Sequence, residues 1–425
     1  MTSNRRRFLK SSLASSTLVA MGAATVPEFL GRSARAAVAV DKAGPSSRKS
    51  DERILVVVQL LGGNDGLNTV VPHGIDGYNR GRRTLRIGSS QVQKITPEIG
   101  LHPAMGGMGK LLEKNRLAIV QGVGYPNPDR SHFRSMEIWE VGRLANDART
   151  LETGWLGRAI DQKGRRPGED PPAMHVGGRS LPQALRSRHT EVPALESLAG
   201  YKLQLTGTDA ERRAERSALG EMAAAERKRD DPVLGFIRQT TLSAYESSSR
   251  LEQVASKAGK SRYPNFGLAK RLEMIAQIIK AGFGTRIFYT SLDGFDTHAN
   301  QLATHAALLT ELSDSIAAFH EDLADAGQAD RVALLTFSEF GRRVAENASL
   351  GTDHGAAAPV FLVGPVAKAG LIGAHPTFDD LDDGDLKHHT DFRRVYASLL
   401  TDWLDCPTEP VLGPGFNPLP LLRKA

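Results

Sequence analysis

One cysteine, Cys406, stands in 425 residues, so no disulfide can form within the chain and the fold must be held by packing and polar contacts. Aromatic residues are only 6%, and no basic stripe interleaved with them is available to bind nucleic acid. No Gly-x-Gly-x-x-Gly opens a helix after a strand, which argues against a dinucleotide cofactor. No Gly-x-Ser-x-Gly elbow presents a serine in the α/β-hydrolase manner. His320-Glu321 begins like a zincin motif but has no second histidine four residues after the first. Beyond the N-terminal region, no apolar run is long enough to span a bilayer.

What is present begins with Asn4-Arg5-Arg6-Arg7-Phe8-Leu9-Lys10. It reads as a twin-arginine leader, followed by a Ser/Ala/Gly-rich apolar stretch and Ala34-Arg35-Ala36 as a cleavage site. Residues 1–36 form a signal peptide on this reading, and residues 37–52 a polar linker. The leader carries six basic residues (Arg5, Arg6, Arg7, Lys10, Arg32, Arg35) and one acid (Glu28), so its removal takes five from the formal charge of +6 and leaves +1. The high pI therefore says little about the mature chain. A folded-state export route suits a protein that acquires a metal before leaving the cytoplasm. The destination is periplasmic or secreted, with the twin-arginine translocase as a transient partner and no stable membrane span.

Residues 53–425 read as a single α/β domain. Ile54 to Leu61 is an apolar, β-branched run interrupted only by Gln59, the pattern of a central parallel strand. Further strands are predicted over Leu117–Gln121, Met174–Val176, Arg286–Leu292, Val332–Phe337 and Pro359–Val363. Helices are predicted over 155–162 and 268–281, and a long one after Asn300. The charged, Ala/Glu-rich stretch near 209–231 suggests a helical insertion at about 207–260.

In open parallel sheets, ligands bind beyond the carboxyl ends of the strands. Four such ends carry chemistry-bearing residues: Asp65 in Gly62-Gly63-Asn64-Asp65-Gly66; Ser131 at a helix start; Asp296 with His298; and Glu339 followed, a loop later, by Asp353-His354. Each has a plainer reading, such as a turn aspartate, an N-cap serine or a surface histidine. Their joint recurrence fits a metal site with carboxylate and imidazole ligands. Lys387-His388-His389-Thr390 after the acidic stretch 379–385 misses the EF-hand spacing and stays outside the set.

The motifs Gly62-Gly63-Asn64-Asp65-Gly66, Arg130-Ser131-His132-Phe133, Gly294-Phe295-Asp296-Thr297-His298, Ser338-Glu339-Phe340-Gly341-Arg342, Thr352-Asp353-His354-Gly355 and Asp391-Phe392-Arg393 together resemble the exported family called domain of unknown function 1501, grouped with the alkaline-phosphatase/sulfatase superfamily. The resemblance implies a doubly wound, mostly parallel sheet bearing one or two divalent ions (Zn, Mn, Mg or Ca). It assigns Asp65, Asp296, His298, Asp353 and His354 as metal ligands and Ser131 as an alkoxide nucleophile. Superfamily enzymes place Asp-His-Gly directly at the strand end, where this chain has Ser338-Glu339, so Glu339 is a further candidate ligand with His354 as the final histidine. The implied activity is hydrolysis of phosphate or sulfate esters. The rival class is a non-catalytic exported binding or assembly protein on the same scaffold. Export is expected to depend on the arginine run: replacing Arg5, Arg6 and Arg7 by Lys should leave uncleaved precursor in the cytoplasm on fractionation, and normal export of that variant would contradict the leader reading.

Overall fold

The computed structural model describes residues 53–144, 151–164, 170–197, 250 and 261–423. The leader, the linker and, apart from Arg250, the insertion expected at 207–260 lie outside the described residues. The strands that matter here are β1 (Ile54–Leu60), β2 (Leu117–Gly124), β3 (Ala173–Val176), β4 (Ala194–Leu195), β5 (Ile287–Leu292), β6 (Val332–Ser338), β7 (Arg342–Glu346), β8 (Thr352–His354), β9 (Ala358–Val363), β10 (Gly370–Ile372), β11 (Leu381–Asp382), β12 (Asp385–Leu386) and β13 (Thr390–Asp391). A nine-stranded sheet runs in the order β10-β2-β9-β6-β1-β5-β3-β4, with β13 also paired to β2. Its pairings are parallel except those of β9, which is antiparallel to β2 and β6.

The central strand is buried along its whole length, and its side chains alternate between two cores, as the period of two requires. Ile54, Val56, Val58 and Leu60 pack against α1 (Gly106–Glu113), α4 (Gly267–Lys280) and α5 (Gln301–Asp325). Leu55 and Val57 face the opposite layer, formed by α2 (His132–Val141), α3 (Trp155–Lys163) and α6 (Phe392–Ser398). Helices thus cover both faces, the arrangement that lets a parallel strand be apolar on both sides. The mixed α/β class expected from the sequence is the one observed.

Strand direction places the site. β1 is parallel to β5, with Leu60 opposite Leu292, and parallel to β6, with Leu60 opposite Ser338. Because β9 runs against both β6 and β2, β2 points the same way as β6. The carboxyl ends of β1, β2, β5 and β6 therefore share one edge, and the segments after them are Gly62–Asp65, Tyr125–His132, Asp293–His298 and Glu339. Asp353 and His354, expected on a loop, instead form β8 in an antiparallel hairpin with β7, His354 opposite Arg342. Glycines permit the close fold: a Cβ on Gly341 would lie 2.2 Å from the Ala357 carbonyl oxygen, and one on Gly355 would lie 2.5 Å from the Arg342 carbonyl carbon.

Candidate metal centre

Asp296 lies where the four segments meet. The Nε2 of His132 is 3.4 Å from its Oδ2, and the Nε2 atoms of His298 and His354 are 3.0 and 3.2 Å from its Oδ1. The two latter Nε2 atoms are 2.9 Å apart. Ligand atoms of His132, Asp296 and His354 all fall within 4.8 Å of one another.

The far side of each imidazole meets an oxygen. Nδ1 of His132 is 2.7 Å from Glu339 Oε1, Nδ1 of His354 is 2.7 Å from the Arg130 carbonyl oxygen, and Nδ1 of His298 is 3.1 Å from Asp353 Oδ1. Carbonyl and carboxylate oxygens only accept, so in the neutral rings of His132 and His354 the closer oxygen draws the hydrogen to Nδ1 and Nε2 presents a lone pair, whereas His298 meets a carboxylate at both nitrogens. In that tautomer the Nε2 atoms of His132 and His354 turn lone pairs toward the Asp296 carboxylate. For His132 the consequence is visible directly: its buried Nε2 has no hydrogen-bond partner among the described residues. Oxygen partners behind histidines are the usual support of imidazole metal ligands.

The spacing fits an ion as well. A tetrahedral ion with ligand bonds of about 2.0–2.1 Å separates its ligand atoms by about 3.3 Å, close to the Nε2–Oδ separations above. Electrostatics agree in part: burial raises the Asp296 pKa, but the Arg342 hydrogen bond and charge, with His354 and His298, outweigh it and hold the group at about 2. Burial lowers the His354 pKa, which favours the unprotonated ring. The Glu339 hydrogen bond raises that of His132, which sets protonation of that ring against metal binding as pH falls.

The remaining candidates are placed differently from the sequence expectation. Asp65 was expected to bind metal but is wholly buried in an ion pair with Arg82, with contacts of 2.6 and 3.0 Å. Gln301 also donates to Oδ2 and the Asn68 backbone N–H to Oδ1, so both oxygens are engaged away from the imidazoles. Burial raises its pKa, yet the Arg82 charge and hydrogen bonds bring it below the usual carboxylate value. Glu339, also expected as a ligand, stands behind His132: Oε1 accepts from the Gly62 N–H at 2.9 Å, and Oε2 is 3.0 Å from Ser338 Oγ. Asp353 accepts from both His298 and Asn347 at 3.1 Å, which makes it an orienting group. Ser131 is the N-cap residue of α2, but its side chain does not cap the helix, and its hydroxyl makes no hydrogen bond among the described residues.

Two residues were passed over in the sequence. His132 was quoted only as part of the motif around Ser131; the buried Ser135 and Trp139, counted back three and seven positions, land on it. Arg342 is fully buried, and its Nη2 lies 2.7 Å from Asp296 Oδ1.

The fold and this cluster define an α/β protein with a histidine–carboxylate centre at the carboxyl edge of its sheet. The chain belongs to the family described as Protein of unknown function (DUF1501), whose model matches residues 52–402. No curated protein matches it. Among solved structures, the C-terminal periplasmic domain of EcEptC from Escherichia coli, in complex with Zn, is 9% identical, with 76% of this chain and 77% of that chain covered and a TM-score of 0.37. The alkaline phosphatase of the Antarctic bacterium TAB5 is 12% identical, with 74% and 92% covered and a TM-score of 0.30. The PsFucS1 sulfatase from Pseudoalteromonas sp. is 12% identical, with 86% and 70% covered and a TM-score of 0.36.

The placement of Asp65 has a measurable consequence. Asp65→Asn strands the Arg82 charge in the interior and should lower unfolding stability by about 3–5 kcal/mol in a denaturant titration, while metal bound per folded chain stays unchanged. Loss of metal with stability intact would return Asp65 to the ligand set.

Proposed function

We propose that the protein is an exported hydrolase of phosphate or sulfate esters that depends on a divalent metal held by His132, Asp296 and His354. The observation that carries this reading is the partnerless Nε2 of His132, aimed at Asp296 while Glu339 holds the opposite ring nitrogen. A donor set rich in imidazole suits Zn, Mn or Fe, whereas Mg and Ca favour oxygen ligands. Such an ion, when bound, polarises the ester oxygen and lowers the pKa of water.

The chain's own groups supply the rest. Glu339 and the Arg130 carbonyl keep the Nε2 lone pairs of His132 and His354 turned inward, and Arg342 keeps Asp296 ionised. His298, its side chain 43% exposed and its Nδ1 held by Asp353, is the general base, because it is the most exposed imidazole of the cluster and is backed by a carboxylate. Among the described residues the Ser131 hydroxyl has no hydrogen-bonded base, and this reading gives the attack on the ester to water, whose proton passes to His298. Export by the twin-arginine route, to the periplasm or beyond, rests on the leader sequence. No helix among the described residues is long and apolar enough to cross a membrane.

The test uses mature protein loaded with zinc or manganese and three esters: p-nitrophenyl phosphate, bis(p-nitrophenyl) phosphate and p-nitrophenyl sulfate. Turnover of at least one is expected. His132→Ala should lose bound metal and roughly a hundredfold or more of kcat/KM, His298→Ala should lose turnover but keep metal, and Ser131→Ala should stay within about threefold of wild type. Bound metal without turnover of any ester would favour the binding or assembly role. A Ser131→Ala variant that keeps its metal but is as inactive as His132→Ala would reinstate the covalent mechanism.

A further inference from the structure

Gln301, the first residue of α5, has no exposed surface, and its amide joins three parts of the sheet edge. Its Nε2 donates to Asp65 Oδ2 at 2.5 Å, while its Oε1 accepts from the Thr297 hydroxyl at 3.0 Å and the Thr352 hydroxyl at 2.7 Å. Thr297 stands between Asp296 and His298, and Thr352 directly precedes Asp353 and His354. Both threonines are buried. One amide oxygen thus ties the loop after β5 to the β7–β8 hairpin at the residues beside the centre.

The direction of that amide follows from its neighbours. Asp65, paired with Arg82, can only accept, so the NH2 end of Gln301 faces it and the oxygen faces the two hydroxyls, each of which has one hydrogen to donate. We propose that Gln301 is a positioning residue: its amide, oriented by Asp65, sets the loop that presents Asp296 and His298 against the strand that presents His354. The proposal rests on the metal reading above and adds what holds the ligands in relation to one another. Backbone bonds also join these segments, from the Thr352 N–H to the Thr297 carbonyl at 3.2 Å and from the Gln301 N–H to the Leu350 carbonyl at 2.9 Å. A ligand set must be held within about 0.5 Å of its working geometry, and packed side chains with satisfied hydrogen bonds supply that last constraint. Asp65, expected from the sequence to bind the ion, bears on the centre through this amide instead.

Thr297→Val and Thr352→Val each remove one hydroxyl with little change of shape, Thr297→Ser and Thr352→Ser keep it, and Gln301→Met removes both bonds at once. Each variant of the mature chain is compared with wild type by zinc calorimetry, by the absorption spectrum of the cobalt-loaded protein and, without metal, by the ring resonances of His298 and His354 at one fixed pH. The valine and methionine variants should bind zinc about tenfold more weakly, with an altered cobalt spectrum and displaced ring resonances, and the serine variants should stay within about threefold of wild type. Wild-type zinc affinity and cobalt spectrum in both valine variants would overturn the positioning role and leave the metal centre standing. Equal losses in the serine variants would do the same, because they would place the effect in packing rather than in the hydroxyls. A wild-type chain that takes up no zinc, manganese or iron would overturn the metal reading; ring resonances displaced by valine and restored by serine would then still support the role of Gln301, and unmoved resonances would overturn that role too. Should Gln301→Met fail to fold, the threonine variants decide the question.

Discussion

The Arg342 guanidinium joins three segments of the site. It emerges from the hairpin after β6, binds the glycine turn after β1 through the Gly62 and Gly63 carbonyls, binds the loop after β5 through Phe295 and Asp296, and fastens β8 through Thr352. A buried cation survives only when all its donors are satisfied, so each of those loops must arrive in register for the others to be stable. Parallel strands bring their carboxyl ends to one edge without fixing how the following loops meet. Arg342 supplies that constraint, and it does so at the carboxylate on which the imidazoles converge.

Around that anchor, the oxygens behind the imidazoles divide the work. Glu339 is buried, so its charge is available to the Nδ1 of His132 and the Gly62 N–H but not to solvent. The Arg130 carbonyl does the same for His354 without adding charge, and the chain is held there by ion pairs from the Arg130 side chain to Asp383 and Asp385, around β11 and β12. Asp353, more exposed, supports the imidazole nearest solvent. The acidic stretch 379–385 thus anchors the segment carrying a backbone acceptor for the site.

Much of the fold was legible because burial on both faces writes itself into consecutive apolar residues. β1, β5 and β6 were visible as such runs, and α4 showed its stripe at helical spacing. The antiparallel sense of β9 was not, since an apolar run carries no direction. Nor was the hairpin of β7 and β8, whose three-residue second strand is polar at Asp353 and His354. Within the site, Asp296, His298 and His354 could be found by placing polar residues at strand ends. Asp65 sits at just such an end, but the arginine that claims it is seventeen positions later, and no local pattern links a turn aspartate to a partner that tertiary packing delivers. The choice between Ser131 and His132 was equally closed to spacing, because a helix's first turn can direct either residue at the sheet edge. What favours His132 is the Glu339 carboxylate on its ring, a contact that only the folded chain makes.

The central claim is that the Nε2 atoms of His132 and His354 and the carboxylate of Asp296 hold one ion. Anomalous diffraction at the zinc absorption edge, from crystals of the mature protein grown with zinc, tests it most directly. The account predicts one strong peak per chain, within bonding distance of those three groups and at least one ångström-scale bond length from any oxygen of Asp65. A peak bonded to Asp65, or a zinc-saturated crystal with no peak beside His132, would contradict it.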